Sequence, residues 1–485
     1  MNKILFAFFV FFLAACANKK TTIFIDNHDD WNNNASIVKN LQIAKSDNSN
    51  GVIDLMGNGA LLLDKLDTIK HFQMTSRFKE QGSWTSKWLK LNKNKNISIE
   101  SEVIIYGNTI DMRSGWIKFS GNPVISGENK LLPLNKSNIT NQTILLPAPG
   151  GVPQDQSILL GTGKWEGKWL LFFNHTPNKW PFDYYWSFAV AESLEPFKQG
   201  INPFKIDSSF FPLHGPINGH APNDWLEVNG TYYAPDETHD GESHMWISND
   251  IVNWKNIGPI KGILGNDPGI CYDGMHFFLF NEKNNYLTFN RLNRDYTSVV
   301  EGDTILNVGD HTGDPDLGFF NNLWHMFFDD GEHLHYHIGY AKTTPENFPY
   351  GWELENDIYG PYNPDQGQNW DNDNKEGNDF GTGDADFAIQ DNTLFLFTER
   401  PIGLAYKELT EIYKNTGQEI RFSIEIDDDG DNVTDKTTEW INLNTGIEKI
   451  KINVEEKAKN FRIKIDLNSN INTKSPLIKS IKIEC

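Results

Sequence analysis

The sequence predicts an all-β protein: a five-bladed β-propeller with a β-rich N-terminal region and a small C-terminal β-sandwich. Two observations lead there. A hairpin pattern recurs five times, and repeats of roughly 40–50 residues mark stacked or radial architectures. The 485 residues are also rich in Asn, Gly and aromatics, which suits strands joined by many turns. Each copy reads as a polar turn bearing Asp or Asn, an apolar strand, a tight turn and an aromatic strand. The copies begin at Gln154, Ala221, Asn266, Gly313 and Gly383. Their uneven spacing places insertions between the first and second blades and between the fourth and fifth.

Taken in order, the chain opens with the short basic region Met1-Asn2-Lys3. An apolar run from Ile4 to Phe12 follows, too short to cross a bilayer. Leu13-Ala14-Ala15-Cys16 then resembles a bacterial lipobox. The resemblance implies a signal peptide over residues 1–16, a lipid on Cys16, and tethering to the outer membrane in the cell envelope. An ordinary secretory signal or a short anchor is the alternative.

Residues 17–146 form the β-rich N-terminal region, with strand-like runs at 22–25, 51–57, 96–107 and 114–121. The alternation Ile97-Ser98-Ile99-Glu100-Ser101-Glu102-Val103 marks a half-buried strand. Ala60 to Lys70 reads as one short helix. The propeller is expected over residues 147–410. Inside it, Asn356 to Gly383 has no apolar periodicity. A stretch that long is either a lid over the central face or an acidic surface loop. Residues 417–485 return to alternating strands and form the sandwich. There Asp427, Asp429, Asp431 and Asp435 stand at positions one, three, five and nine of a run containing Gly430. That spacing suits oxygen ligation of a structural calcium ion; the alternative is a charged hairpin turn. No cofactor is expected for catalysis.

The formal net charge of −22 excludes nucleic acid or an anionic surface as a partner held by bulk charge. Three cysteines, at 16, 271 and 485, make neither a disulfide framework nor a zinc cluster. Cys271 lies in an apolar strand and reads as a buried thiol.

In a propeller the turn before each first strand and the end of each second strand share one face. The first set places Asp155, Asn223, Asp224, Asp267, Asp314, Asp316, Asp384 and Asp386 there. The second places His175, Glu237, His239, Glu282, Asp329, Asp330, Glu399 and Arg400 there. Crowded carboxylates shift one another's pKa values, as acid/base pairs require. Any one Asp could instead cap its turn. For Asp316 and Asp386, which lie further into their strands, that structural role is favoured. Histidines add proton-transfer candidates: His220 and His311 precede Asp-bearing turns, and His239 ends a second strand. His276 and His325 lie within aromatic strands and read as core or edge residues. His333, His335 and His337 alternate on one strand, as a metal site or as a solvated face.

These turns resemble those of five-bladed propeller glycoside hydrolases, family 43 and its relatives, from Pro147 onward. The resemblance implies an inverting hydrolase. Asp155 would be the base and Asp267 the residue that tunes the acid's pKa. Gly313, in Gly313-Asp314-Pro315, stands where the family's acid Glu is found, leaving Asp314 or Glu237 as substitutes. The family's Trp-Ala-Pro-Asp appears as His220-Ala221-Pro222-Asn223. A histidine-lined face that lacks the hydrolytic acid also suits β-elimination at a uronate, by a lyase or a non-reducing-end dehydratase. For that chemistry His220, His239, His311, Tyr233 and Arg400 are the candidates. The overall style is similar to polysaccharide-utilisation lipoproteins of marine Bacteroidetes, some of which act on ulvan. Three readings follow: uronate elimination on algal oligosaccharides, glycosidic hydrolysis, and a non-catalytic sugar-binding propeller.

Overall fold

The computed structural model describes six strands before residue 81 and most of the chain from there to residue 484. Residues 360–382 and 469–476 are the longest later stretches outside the described residues. Nearly all of the central part is strand. Four consecutive antiparallel sheets follow one another along the chain. They span Val152–Asn218, His220–Pro259, Asn266–Leu306 and Thr312–Tyr359. In the second, two short strands, His220–Pro222 and Leu226–Val228, take the place of one first strand.

The fifth sheet consists of Asp386–Gln390, Thr393–Thr398 and Gly403–Glu408. Its outer strand is Ile117–Lys118, which pairs with Gly403–Glu408 and lies before the first blade in sequence. The propeller is thus closed by a strand from the region expected to precede it.

Why the sheets stack radially follows from alternation. Each blade turns one set of aromatic and aliphatic side chains to each neighbour. Phe172, Trp186, Trp225, Tyr232 and Trp246 fill the space between blades one and two. Tyr233, Met245, Ile270 and Leu279 fill that between two and three. Cys271, Phe278, Phe280, Met326 and Phe328 join three to four, so the buried thiol expected at Cys271 is found. Phe327, Tyr340, Leu394 and Leu396 join four to five. Ile158, Leu171, Phe173, Phe395 and Phe397 close five onto one. Burial of a large apolar side chain contributes about 1.5–3 kcal/mol, so each interface is a substantial share of the fold's stability.

The strands on either side of the propeller do not form two separate units. Asn96–Ile104 lies between Gly446–Asn453 and Leu477–Glu484, and Gln81–Ser86 pairs with Asn460–Asn468. The resulting two sheets enclose one core containing Trp84, Ile97, Ile99, Phe422, Ile463 and Ile481. N-terminal and C-terminal segments therefore build one sandwich together. Leu323, at the edge of blade four, packs into the same core. The alternation expected at Ile97–Val103 is observed, with Ile97, Ile99 and Val103 buried. The helix expected over Ala60–Lys70 is not. Leu61–Leu63 and Lys65–Ile69 are strands, because pairing with Leu41–Ile43 and Thr75–Phe78 overrides a weak local preference.

Candidate active site

Three rings of side chains surround the propeller axis, one for each position of the repeated turn. The upper ring holds Asp155, Asp267, Asp314 and Asp384. All four have the same left-handed backbone, with φ between 44° and 47°. Asp and Asn tolerate that region better than other non-glycine residues. A β-bulge follows each turn in blades one, three and four, and it turns the carboxylate away from the ladder. In blade two the place falls to Pro222, whose ring holds φ near −65°. Asn223, one residue on, donates from Nδ2 to Asp267 Oδ1 at 3.1 Å.

The second ring comes from the aromatic strands. Asn174, Glu237, Glu282 and Asp329 occupy one register, opposite Gln154, Ala221, Asn266 and Gly313. Asn174 Nδ2 donates to Asp155 Oδ2 at 3.0 Å. Glu282 is hydrogen-bonded to Asp267. Asp329 Oδ1 accepts from the amide of Asp384 in the next blade at 2.9 Å.

The lower ring holds the blades together. Asp224 Oδ2 accepts from the amide of Ile270 at 2.8 Å, and its Oδ1 accepts from Ser157 Oγ at 2.8 Å. Asp316 Oδ2 accepts from the amide of Phe387 at 3.1 Å. Asp386 Oδ2 accepts from the amide of Ile158 at 2.5 Å. In blade three the equivalent residue is Gly269, where an added Cβ would lie 1.7 Å from the carbonyl oxygen of Pro315. The structural role expected for Asp316 and Asp386 is therefore found, and Asp224 shares it.

The upper ring and Asp224, Gly269, Asp316 and Asp386 of the lower ring line one pocket on the axis, with Gln156 and Asn223 among them. Asp155, Asp224 and Asp386 are buried and the other carboxylates half-buried, so desolvation is the main force on their protons. Burial first, then the charges of Glu237 and Asp384, lifts Asp267 well above the usual carboxylate range. Burial pushes Glu282 up to about 7, against the hydrogen bond from Asp267 that favours its anion. The pair therefore shares a proton along its hydrogen bond. Asp314 is raised by burial and by Asp267, and donates to Asp384. Asp316 is raised by burial and by Asp386, to which it donates. Burial also brings Asp224 to about 7 and Asp386 to about 6. Shared protons thus relieve the crowding that the sequence implied.

Several expected site residues stand elsewhere. Tyr233 is buried between blades two and three, its ring 4.7 Å from that of Phe277 and 5.2 Å from that of Tyr296. It is a core residue and not a substrate contact, because strand alternation turns it away from the axis. Glu237 is not among the residues that line the pocket, but its charge raises both Asp267 and Glu282. His220 donates or accepts at Nδ1 with Asp236 Oδ2, 2.6 Å away. Asp236, which the sequence did not single out, is wholly buried. His175 is held by Gly150 O and Ser187 Oγ, and burial pushes it down to about 4, which makes it a neutral structural group. His325 is likewise core, bonded to Tyr340 Oη. Cys16, His239, His311 and Arg400 lie outside the described residues, as do residues 360–382 of the long loop.

In the sandwich, Asp427, Asp429 and Asp435 bring one oxygen each within 4.8 Å of one another, and Asp431 is not in that group. Asp427 Oδ1 accepts from the amides of Asp429 and Gly430; Oδ2 accepts from the amide of Asn432 and from Asn460 Nδ2. Burial opposes its charge, yet the bonds from Asn460 and the backbone hold it down at about 2. These four donors share the oxygens of Asp427, and Asp429 and Asp435 bring further carboxylate oxygens to the same turn.

No family model matches the chain, and no curated protein sequence does. Among solved structures it is similar to an exo-1,5-α-L-arabinanase from a bovine ruminal metagenomic library. The two are 13% identical at a TM-score of 0.37, over 55% of this chain and 97% of that one. It is also similar to a β-1,2-mannobiose phosphorylase from Listeria innocua, with 12% identity and a TM-score of 0.44, over 61% and 97%. A third is a β-xylosidase/α-arabinofuranosidase from a compost microbial metagenome, with 13% identity and a TM-score of 0.37, over 54% and 92%. At these identities and scores the likeness carries no chemistry over to this chain.

Proposed function

We propose that the protein is a carbohydrate-active enzyme that hydrolyses glycosidic bonds by general acid–base catalysis in the axial pocket. The observation that supports this most is the hydrogen-bonded Asp267–Glu282 pair, both of whose carboxyls are raised, with Asp155 among the charges that raise Asp267. Glycosidic hydrolysis needs a carboxylic acid to protonate the leaving oxygen and a carboxylate to activate water. Asp267 and Glu282 supply the first. Asp155, which accepts hydrogen bonds from the Asn174 and Gln154 amides, supplies the second. The acid missing at Gly313 is on this reading replaced from blade three.

The lining also suits a sugar. Gln156 Oε1 and Asn223 Oδ1 are buried and have no hydrogen-bond partner among the described residues. With the carboxylates they make a pocket rich in acceptors, complementary to the hydroxyl donors of a saccharide. Uronate elimination is less well supported. It requires a cation against the substrate carboxylate, and no Lys or Arg lines this pocket among the described residues. Tyr233, one of its expected groups, is in a hydrophobic core.

The test is incubation with a panel of plant and algal cell-wall oligosaccharides, ulvan and alginate fragments included. New reducing ends without new ultraviolet absorbance support hydrolysis. Binding without either would leave only a sugar-binding propeller. We further propose that Cys16 carries a lipid. Fatty-acid labelling of the wild type, lost in Cys16→Ser, is the expected result.

A further inference from the structure

We propose that His220, Asp236 and His244 form a binding site for a divalent transition ion of the zinc class on blade two. The three come from adjacent strands. His220 and Asp236 lie diagonally across the pairing of His220–Pro222 with Thr231–Thr238, and His244 lies directly opposite Asp236. All three therefore project from one face of the sheet.

Each residue offers a ligand atom within 4.8 Å of the other two. The imidazole centroids are 4.9 Å apart and tilted by 58°. Tetrahedral zinc with bonds of about 2.0–2.1 Å separates its ligand atoms by about 3.3 Å, so small side-chain rotations close the site. The supporting shell is already in place. Asp236 Oδ1 accepts from the amide of His244 at 2.7 Å, and Oδ2 accepts from Trp246 Nε1 at 2.6 Å. Asn256 Oδ1 is tied to the amide of Gly258 at 2.7 Å, which turns its Nδ2 toward His244 Nδ1 at 3.2 Å. Nδ1 thus carries the lone pair and accepts from Asn256, and the ion takes that lone pair by displacing Asn256 Nδ2.

The charge balance favours an ion. Asp236 is wholly buried, and among the described residues its one ion-pair partner is His220. Buried carboxylates are paired or coordinate metals. Here the pairing proton sits between His220 Nδ1 and Asp236 Oδ2, 2.6 Å apart. Replacing it with the ion converts one hydrogen bond into two coordinate bonds; the proton moves to Nε2 of a neutral ring and is released from an imidazolium. The imidazoles are partly exposed, 24% for His220 and 19% for His244, so the ion has a path in from solvent.

The test uses the full chain, stripped with chelator and titrated with Zn²⁺ alone by calorimetry. One ion per chain should bind, and His220→Gln and His244→Gln should each weaken it at least tenfold. X-ray absorption at the zinc edge, independent of any variant's folding, should show two imidazoles in the first shell. An all-oxygen shell, affinity unchanged in folded variants of both histidines, or no binding to the wild type would overturn the proposal.

Discussion

Asp386 Oδ2 accepts a 2.5 Å hydrogen bond from the amide of Ile158, and that bond joins the last blade to the first. The other Asp386 oxygen accepts from the amide of Phe387. One side chain thus satisfies two buried amides across the closing seam.

Asp386→Ala should accordingly leave the Ile158 amide without this acceptor, while the Phe387 amide keeps Asp316 Oδ2. A buried amide that loses its partner costs about 1–3 kcal/mol, and that is the predicted loss in urea unfolding. Asp295→Ala, at an exposed loop position, should change stability by no more than about 0.5 kcal/mol.

Gly269→Ala should be as damaging for a different reason. Its Cβ would meet backbone, the carbonyl of Pro315 at 1.7 Å, and no side-chain rotation can relieve that. Overpacking on this scale costs roughly 3 kcal/mol or more. Thermal unfolding of the variant should show it, and an unchanged midpoint would mean that blades three and four are further apart than described.

Protonated carboxylates make stability fall with alkalinity. Asp224 and Glu282 sit at about 7 in the folded chain, against about 4 when unfolded. Their stabilising contribution is complete below pH 4 and lost as pH rises toward 7. The buried His175 and His325, pushed down to about 4 and about 3, act in the opposite sense up to about pH 6.5. Between pH 6.5 and 8 the carboxylates set the slope. Stability should fall there by about 1–2 kcal/mol per pH unit, measured as urea midpoints, and Asp316→Asn should flatten the slope.

Catalysis should share that dependence. On this account kcat/KM falls as the Asp267–Glu282 pair loses its proton above neutral pH. Glu282→Gln removes the titrating group and should lower the rate by on the order of 10²–10⁴, with the alkaline limb displaced. A full rate with an unshifted profile would take Glu282 out of the chemistry.

The upper ring was legible in the sequence because Asp155, Asp267, Asp314 and Asp384 recur at one place in the repeat. The weaker preference for Asp316 and Asp386 as structural groups was legible for the same reason: two residues along a strand moves a side chain down the axis. Glu282 could have been chosen as the acid, since it stands in the same register as Glu237 and Asp329. What hid its role is that proton placement depends on burial and neighbouring charge, which no local pattern carries. Tyr233 misled because an aromatic strand presents alternate residues to its two neighbouring blades, Tyr232 to blade one and Tyr233 to blade three. The run at 114–121 was legible as a strand, but nothing local in it says that Ile117–Lys118 pairs with Gly403–Glu408 and closes the fifth blade. The shared sandwich pairs Gln81–Ser86 with Asn460–Asn468, a separation that only tertiary structure can bridge.

The most direct test of the central claim is the mass of the products released from oligosaccharides by the wild-type protein. Hydrolysis predicts fragments that together exceed the substrate by one water per bond cleaved, with the activity lost in Asp155→Ala. Fragments that sum to the substrate mass and carry new ultraviolet absorbance would contradict it, as would loss of water from an otherwise intact oligosaccharide.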